Sequence, residues 1–206
     1  MLLDCGATSL TALRSLGLDP GEIAAVFVSH LHGDHFGGLP FLILDGQFTR
    51  RTRPLAVAGP PGIARRLTDA MECLFPGSSA ASRRFDIPVT ELSPGPGPGA
   101  GPGPGPGSGP EAAACAVAGV QVTSQAVDHP SGAPALALQL RLGGRVIGYT
   151  GDTAWTDTLL DVAAGADLLI AEAYRMDAGV PFHLRHADLA ARRHLLTSRR
   201  IVLTHM

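Results

Sequence analysis

Short apolar runs rich in β-branched residues alternate with polar turns along this chain, and the pattern predicts a mixed α/β fold. Ile23-Ala24-Ala25-Val26-Phe27-Val28 reads as a buried strand that delivers the chain into a histidine-rich turn at 29–38. A short helix is expected near Leu39 to Leu44, then a strand at Leu55 to Ala58. Pro60-Pro61-Gly62 opens a helix to Leu74, because proline suits a first helical turn. Phe85 to Leu92 predicts a strand, and strands resume at 115–127. Gly143-Gly144 between Ala135–Leu142 and Arg145–Tyr149 marks a hairpin. Helices are expected at Thr156–Ala164 and Ala187–Leu196, and strands at Asp167–Ala171 and Ile201–Leu203. Strand runs come first and helices are interspersed later. That order predicts an α/β sandwich rather than a regularly alternating parallel sheet.

Residues 93–110 break the pattern, being almost pure Gly-Pro alternation. Proline removes backbone donors and glycine offers no side chain to bury, so a solvated, semi-extended linker is expected. It lacks the glycine-every-third spacing of collagen. The chain is therefore read as one domain, 1–206, with this linker as an insertion. Leu2-Leu3-Asp4-Cys5-Gly6 reads as a strand entering a turn with nothing before it to pair with. Ile201-Val202-Leu203-Thr204-His205 reads as a buried strand close to the chain end, so both termini read as shortened through the fold.

Composition changes this picture little. The 206 residues are 45% hydrophobic, enough for a real core, and the net charge of −2 gives no global field for nucleic acid or membranes. No apolar stretch is long enough to predict a membrane span. The start has neither a basic region nor a long apolar region, so no signal peptide is expected. Cys5, Cys73 and Cys115 are odd in number and far apart, which argues against a disulfide framework and for a reducing, cytoplasmic setting.

The chemistry gathers elsewhere. His30-x-His32-x-Asp34-His35 offers four metal-ligating groups in six residues. Spacing i, i+2 at a strand end puts His30 and His32 on one side, and the turn after Gly33 aims Asp34 and His35 at a second ion. Glycines 33, 37 and 38 permit the tight backbone this needs. Further candidates stand at strand ends: His129 in Asp128-His129, Asp152 in Gly151-Asp152-Thr153, and His205. Together they point to a metal site.

The His-x-His-x-Asp-His motif, the later His129, Gly151-Asp152-Thr153 and Leu203-Thr204-His205 resemble the metallo-β-lactamase fold superfamily, and within it most the ribonuclease Z-like hydrolases. The resemblance implies an αββα sandwich with its site at one edge of two facing sheets. By motif position it implies one zinc ion on His30, His32, His129 and Asp152. The other falls on Asp34, His35, His205 and again Asp152, which bridges the pair. Two zinc ions lower the pKa of a shared water and supply hydroxide to attack phosphorus or a carbonyl. The branch's proton relay, a Glu in His-Glu-Ala-Thr with a later His, maps onto Glu172 in Ala171-Glu172-Ala173-Tyr174 and onto His183, with His186 as rival. The expected catalytic residues are thus Asp34, Glu172 and His183.

Some departures narrow the substrate. The tRNA-clamping arm of ribonuclease Z is inserted between the third-motif His and the bridging Asp. Here only 130–151 lies between them, and the hairpin uses most of it. The Gly-Pro segment carries no Lys or Arg to contact phosphates. A small phosphodiester or ester substrate is therefore favoured over RNA, with a lactone or an aryl sulfate ester as the alternative. The antibiotic-hydrolysing β-lactamases, which are exported, are disfavoured. The di-iron relatives that reduce oxygen or nitric oxide offer more carboxylate, so this histidine-rich set favours zinc. A shortened, catalytically silent metal-binding homologue is the remaining reading. The resemblance also implies a homodimer.

Overall fold

The structure, a computed structural model, describes residues 1–95 and 114–205. They fall into two compact units, Met1–Glu91 and Leu92–Met206.

The first unit is a fully parallel sheet of strands β1 (Leu2–Leu3), β2 (Ala25–Phe27), β3 (Ala56–Gly59) and β4 (Val89–Glu91), in that order. Helix α1 (Ser9–Ser15) joins β1 to β2, helices α2 (Gly33–Phe36) and α3 (Leu39–Phe48) join β2 to β3, and α4 (Ile63–Leu74) joins β3 to β4. This is the regular alternation that the sequence pattern argued against. The cause is α1, whose single buried residue, Leu13, leaves no apolar stripe to read. The two-residue β1 pairs with the strand that follows, Leu2 with Val26 and Leu3 with Phe27. Val26, Phe27, Val57 and Ala58 are completely buried, as expected for inner strands of a parallel sheet. Helix α4 buries Ile63, Leu67 and Met71 at a four-residue spacing. It begins after Pro60-Pro61-Gly62 rather than within it, because Gly62 adopts φ +89° and interrupts the helical path. Strand β4 is shorter than Phe85–Leu92 because Pro88 has no N–H, although its carbonyl still accepts from Val57 N at 2.9 Å.

Arg51, just after α3, is buried and donates to backbone carbonyls. Its guanidinium donates to Ile23 (2.6 Å), Arg53 (2.7 Å), Pro54 (2.8 Å), and Pro20 and Gly21 (3.2 Å each). It thereby ties the approach to β3 to the 3-10 turn at Pro20–Glu22.

The second unit is a mixed sheet. Strands β5 (Cys115–Val117), β6 (Val120–Val127), β7 (Ala135–Leu142) and β8 (Arg145–Tyr149) form an antiparallel meander. Strands β9 (Leu168–Glu172) and β10 (Ile201–Thr204) then add in parallel, giving the order β10-β9-β8-β7-β6-β5. The β7–β8 turn has φ +55° at Gly143 and +73° at Gly144, the left-handed pair a two-residue hairpin requires. Helices α5 (Thr158–Ala163) and α6 (His186–Ala191) cover one face, where Leu159, Val162, Leu184 and Leu189 meet Ala135, Ala137, Leu169 and Ala171. Helix α6 stops five residues before Leu196 and passes into a 3-10 turn at Arg193–Leu195. The Gly-Pro segment begins attached to this sheet: Gly95 N donates to Ser124 O at 2.8 Å, and Ser124 Oγ to Ser93 O at 3.2 Å. Residues 93–95 are thus tethered rather than free linker, and the rest of 93–110 lies outside the described residues.

The three cysteines are free thiols. Among the described residues no helix is long and apolar enough to cross a membrane.

Candidate metal centre

Two clusters of side chains of metal-ligand type stand at strand ends, one in each unit. In the first unit Asp4 follows β1 and turns back on itself with φ +58°. Aspartate tolerates this region better than most residues. Its Oδ1 accepts from Ser29 N at 2.6 Å; its Oδ2 accepts from Ser29 Oγ at 2.8 Å and faces His35 Nδ1 at 2.6 Å. Ser29 Oγ in turn lies 3.0 Å from His30 Nδ1. A carboxylate holds the proton of His35 on Nδ1. A serine that donates to that carboxylate accepts from Nδ1–H of His30. Both rings therefore present Nε2 as an electron-pair donor, as in metal-ligating histidines oriented by a carboxylate or hydroxyl. His30 Nε2 lies 3.1 Å from His32 Nδ1. His30 and His35 are buried and His32 is not. Asp34, in the first turn of α2, is exposed, with Oδ2 3.5 Å from His35 Nε2.

Glycines make this approach possible. A Cβ at Gly38 would lie 2.1 Å from Gly6 O, and one at Gly6 would lie 2.0 Å from Asp34 O. The backbone of 4–6 thus presses directly on the motif, with Cys5 N donating to His35 O and Gly38 N to Cys5 O. Gly37 is equally confined, whereas a Cβ at Gly33 would meet open space. Burial pushes the Cys5 thiol up to about 11, so this cysteine stays protonated beside the motif.

In the second unit, parallel pairing aligns the ends of β8, β9 and β10. Asp152 follows β8 through Gly151 (φ +56°), Glu172 ends β9, and His205 follows β10 with φ +57°. Ligand-type atoms of Asp152, Glu172, His183 and His205 all lie within 4.8 Å of one another. Glu172 is the hub and is 1% exposed. Its Oε1 accepts from Thr153 N and from Leu184 N (3.2 Å); its Oε2 faces His183 Nδ1 at 2.9 Å and His205 Nδ1 at 3.4 Å. Asp152 Oδ1 lies 3.2 Å from His205 Nδ1, and its Oδ2 lies 3.8 Å from His183 Nδ1. His129 Nδ1 donates to Phe182 O at 3.0 Å, which puts the ring's electron pair on Nε2. Phe182 holds φ +63° to place that carbonyl. The Tyr174 ring stacks on His183 at 4.7 Å between centroids. His186 lies elsewhere: it opens α6 and lines a hollow with Leu189, Ala190, Arg193, Ile201 and Leu203.

Each sequence-predicted site residue thus belongs to one cluster or the other: His30, His32, Asp34 and His35 in the first, His129, Asp152, Glu172, His183 and His205 in the second. Asp4, Ser29, Thr153 and Tyr174 were not foreseen. The rule that singled out Asp152, a carboxylate where a strand ends, applies equally to Asp4. No sequence signal announces the Phe182 carbonyl.

The donor set fits a borderline metal such as zinc: imidazole nitrogens and carboxylate oxygens, with orienting partners behind the rings. Over residues 1–206 the sequence matches the family described as the β-lactamase superfamily domain. Ribonuclease Z from Salinibacter ruber is 38% identical over 91 residues, 44% of this chain and 27% of that protein. The matched stretch therefore spans about a quarter of that relative's length. Among solved structures, the short form of human tRNase Z superposes with a TM-score of 0.73 at 26% identity, covering 98% of this chain and 80% of that one. The Bacillus subtilis metallo-β-lactamase fold protein YhfI gives 0.68 at 20% identity, covering 99% and 73%. A family match along the whole sequence, the ribonuclease Z relatives and the shared fold together place this chain in the metallo-β-lactamase superfamily.

Proposed function

We propose that the protein is a dinuclear zinc hydrolase of phosphodiester or related ester bonds. The carrying observation is that His30, His35 and His129 each have Nδ1 engaged by an oxygen that orients the ring. Ion assignment follows the superfamily's motif order: His30, His32, His129 and Asp152 for one, and Asp34, His35, His205 and Asp152 for the other. When bound, the zinc ions supply an activated water and countercharge for the oxygen that becomes negative. Glu172 accepts from His183 Nδ1 and orients the ring, so that its doubly protonated form would give the Nε2 proton to the leaving oxygen and keep the one on Nδ1. Asp34, exposed beside His35, is positioned to orient the attacking water. The similarity to ribonuclease Z of Salinibacter ruber supports a phosphodiester over a lactone.

The test is zinc analysis of purified full-length chain together with a chromogenic panel: a phosphodiester, a phosphomonoester, a lactone and an aryl sulfate. Two zinc ions per chain are expected, with phosphodiester turnover lost on chelation and regained with zinc. Less than one zinc per chain, unchanged after zinc addition, would sink the reading.

Asp4 carries a second expectation. Asp4→Asn keeps a residue that tolerates the left-handed backbone but removes the charge behind Ser29 and His35. Zinc affinity should fall about 10–100-fold, read by competition with a chelator. An unchanged affinity would take Asp4 out of the site.

A further inference from the structure

Strands β8, β9 and β10 run parallel, so their C-terminal ends carry Asp152, Glu172 and His205 while their N-terminal ends form a separate place. There Arg145, Asp167, Arg199 and Arg200 surround an open hollow of about 590 Å³ floored by Ile147 and Leu168. The backbone beneath is fixed by sheet hydrogen bonds: Asp167 N to Val146 O, Arg199 N to Ala166 O and Leu169 N to Arg200 O. Asp167 Oδ2 accepts from Val146 N at 3.0 Å, which locks the carboxylate. Its Oδ1 then holds both Arg145 Nη1 and Arg199 Nη1 at 3.3 Å.

Two guanidinium groups on one anchored oxygen are held side by side, with donors left over on each. Three arginines against one carboxylate leave two positive charges at the rim, the charge of a phosphate monoester reversed. The half-buried Ile147 and Leu168 give the floor an apolar surface on which a flat ring can lie. The volume suits a ligand of nucleotide size. Asp167 stays ionised to do this, its pKa lowered first by the Val146 amide and then by the two arginines.

We propose that this hollow, at the opposite strand ends from Asp152, Glu172 and His205, binds a nucleotide phosphate: the arginines take the phosphate oxygens and the floor takes the base. The phosphate can belong to a free nucleotide or to one nucleotide of an RNA strand. The inference stands apart from the hydrolase reading, because binding here needs neither metal nor turnover.

The test uses the full chain, its Arg145→Glu/Arg199→Glu variant, and a charge-matched control, Arg65→Glu/Arg66→Glu in α4. Adenosine monophosphate is titrated by calorimetry and a labelled RNA octamer by fluorescence anisotropy. The hollow variant should bind at least about tenfold more weakly while the control binds as the parent does. Hydrolysis of a small phosphodiester should not change in any variant. Tight binding of the monophosphate with no gain for RNA assigns a free nucleotide; tighter binding of RNA that the hollow variant loses assigns an RNA strand. No binding of either probe, or equal weakening in the control, overturns the proposal. Loss of hydrolysis in the parent, with binding intact, would strike the hydrolase reading alone.

Discussion

Glu172→Ala is expected to cost about 3–5 kcal/mol of stability and to lower turnover about 10²–10⁴-fold. The carboxylate is buried and serves four partners. Without it the buried amides of Thr153 and Leu184 lose their acceptor, each loss costing about 1–3 kcal/mol. His183 and His205 lose the group that faces both Nδ1 atoms. Glu172→Gln separates the two effects. Its amide oxygen can still accept from both backbone amides, so most of the stability should survive. Its NH2 group cannot accept the His183 Nδ1 proton and carries no charge to balance a doubly protonated ring, so the proton donor is lost and turnover should still collapse. Denaturant unfolding read beside turnover distinguishes the pair. A glutamine variant as active as the parent would remove Glu172 from the proton relay.

Arg51→Ala should cost about 2–4 kcal/mol without touching any ligating residue. Five carbonyls would lose a common donor, and the face of Phe85 would lose the guanidinium that lies 5.5 Å from its centroid. Burial and the nearby Arg53 lower its pKa, but the carbonyl dipoles favour the charged form. Arg51→Lys should recover only part of the loss, since one ammonium has three donors and no planar fork. Chemical denaturation midpoints check both variants. A lysine variant as stable as the parent would show that charge alone, not the fork, holds these loops.

The contrast between what the sequence disclosed and what it hid is one of chain separation. His30, His32, Asp34 and His35 were legible because their geometry is local: a strand end, an i, i+2 spacing and a turn. The β7–β8 hairpin was legible for the same reason, its turn being written in two adjacent glycines. Asp4 was hidden because its role depends on β1 lying beside β2, which brings its carboxylate to a serine 25 positions away. Arg145 and Arg199 were hidden likewise, since they meet Asp167 across 22 and 32 positions. Helix ends misled where one residue overrides propensity, as Gly62 does at the start of α4. Helix α6 ends at Ala191 although apolar residues continue to Leu196, because the last turn tightens into 3-10 geometry. The alternation in the first unit was missed because two-residue β1 and sparsely buried α1 carry almost no periodic signal.

Among the described residues strand β10 lies at the edge of its sheet, paired only with β9 through Ile201↔Leu169 to Thr204↔Glu172. Edge strands are the first to fray, at a free energy far below that of global unfolding. His205 rides on that strand. If it closes a zinc site, the residence time of the ion follows the opening of a four-residue ribbon as much as the strength of its nitrogen–metal bond. The exchange rate of the metal then becomes a clock for the breathing of the sheet.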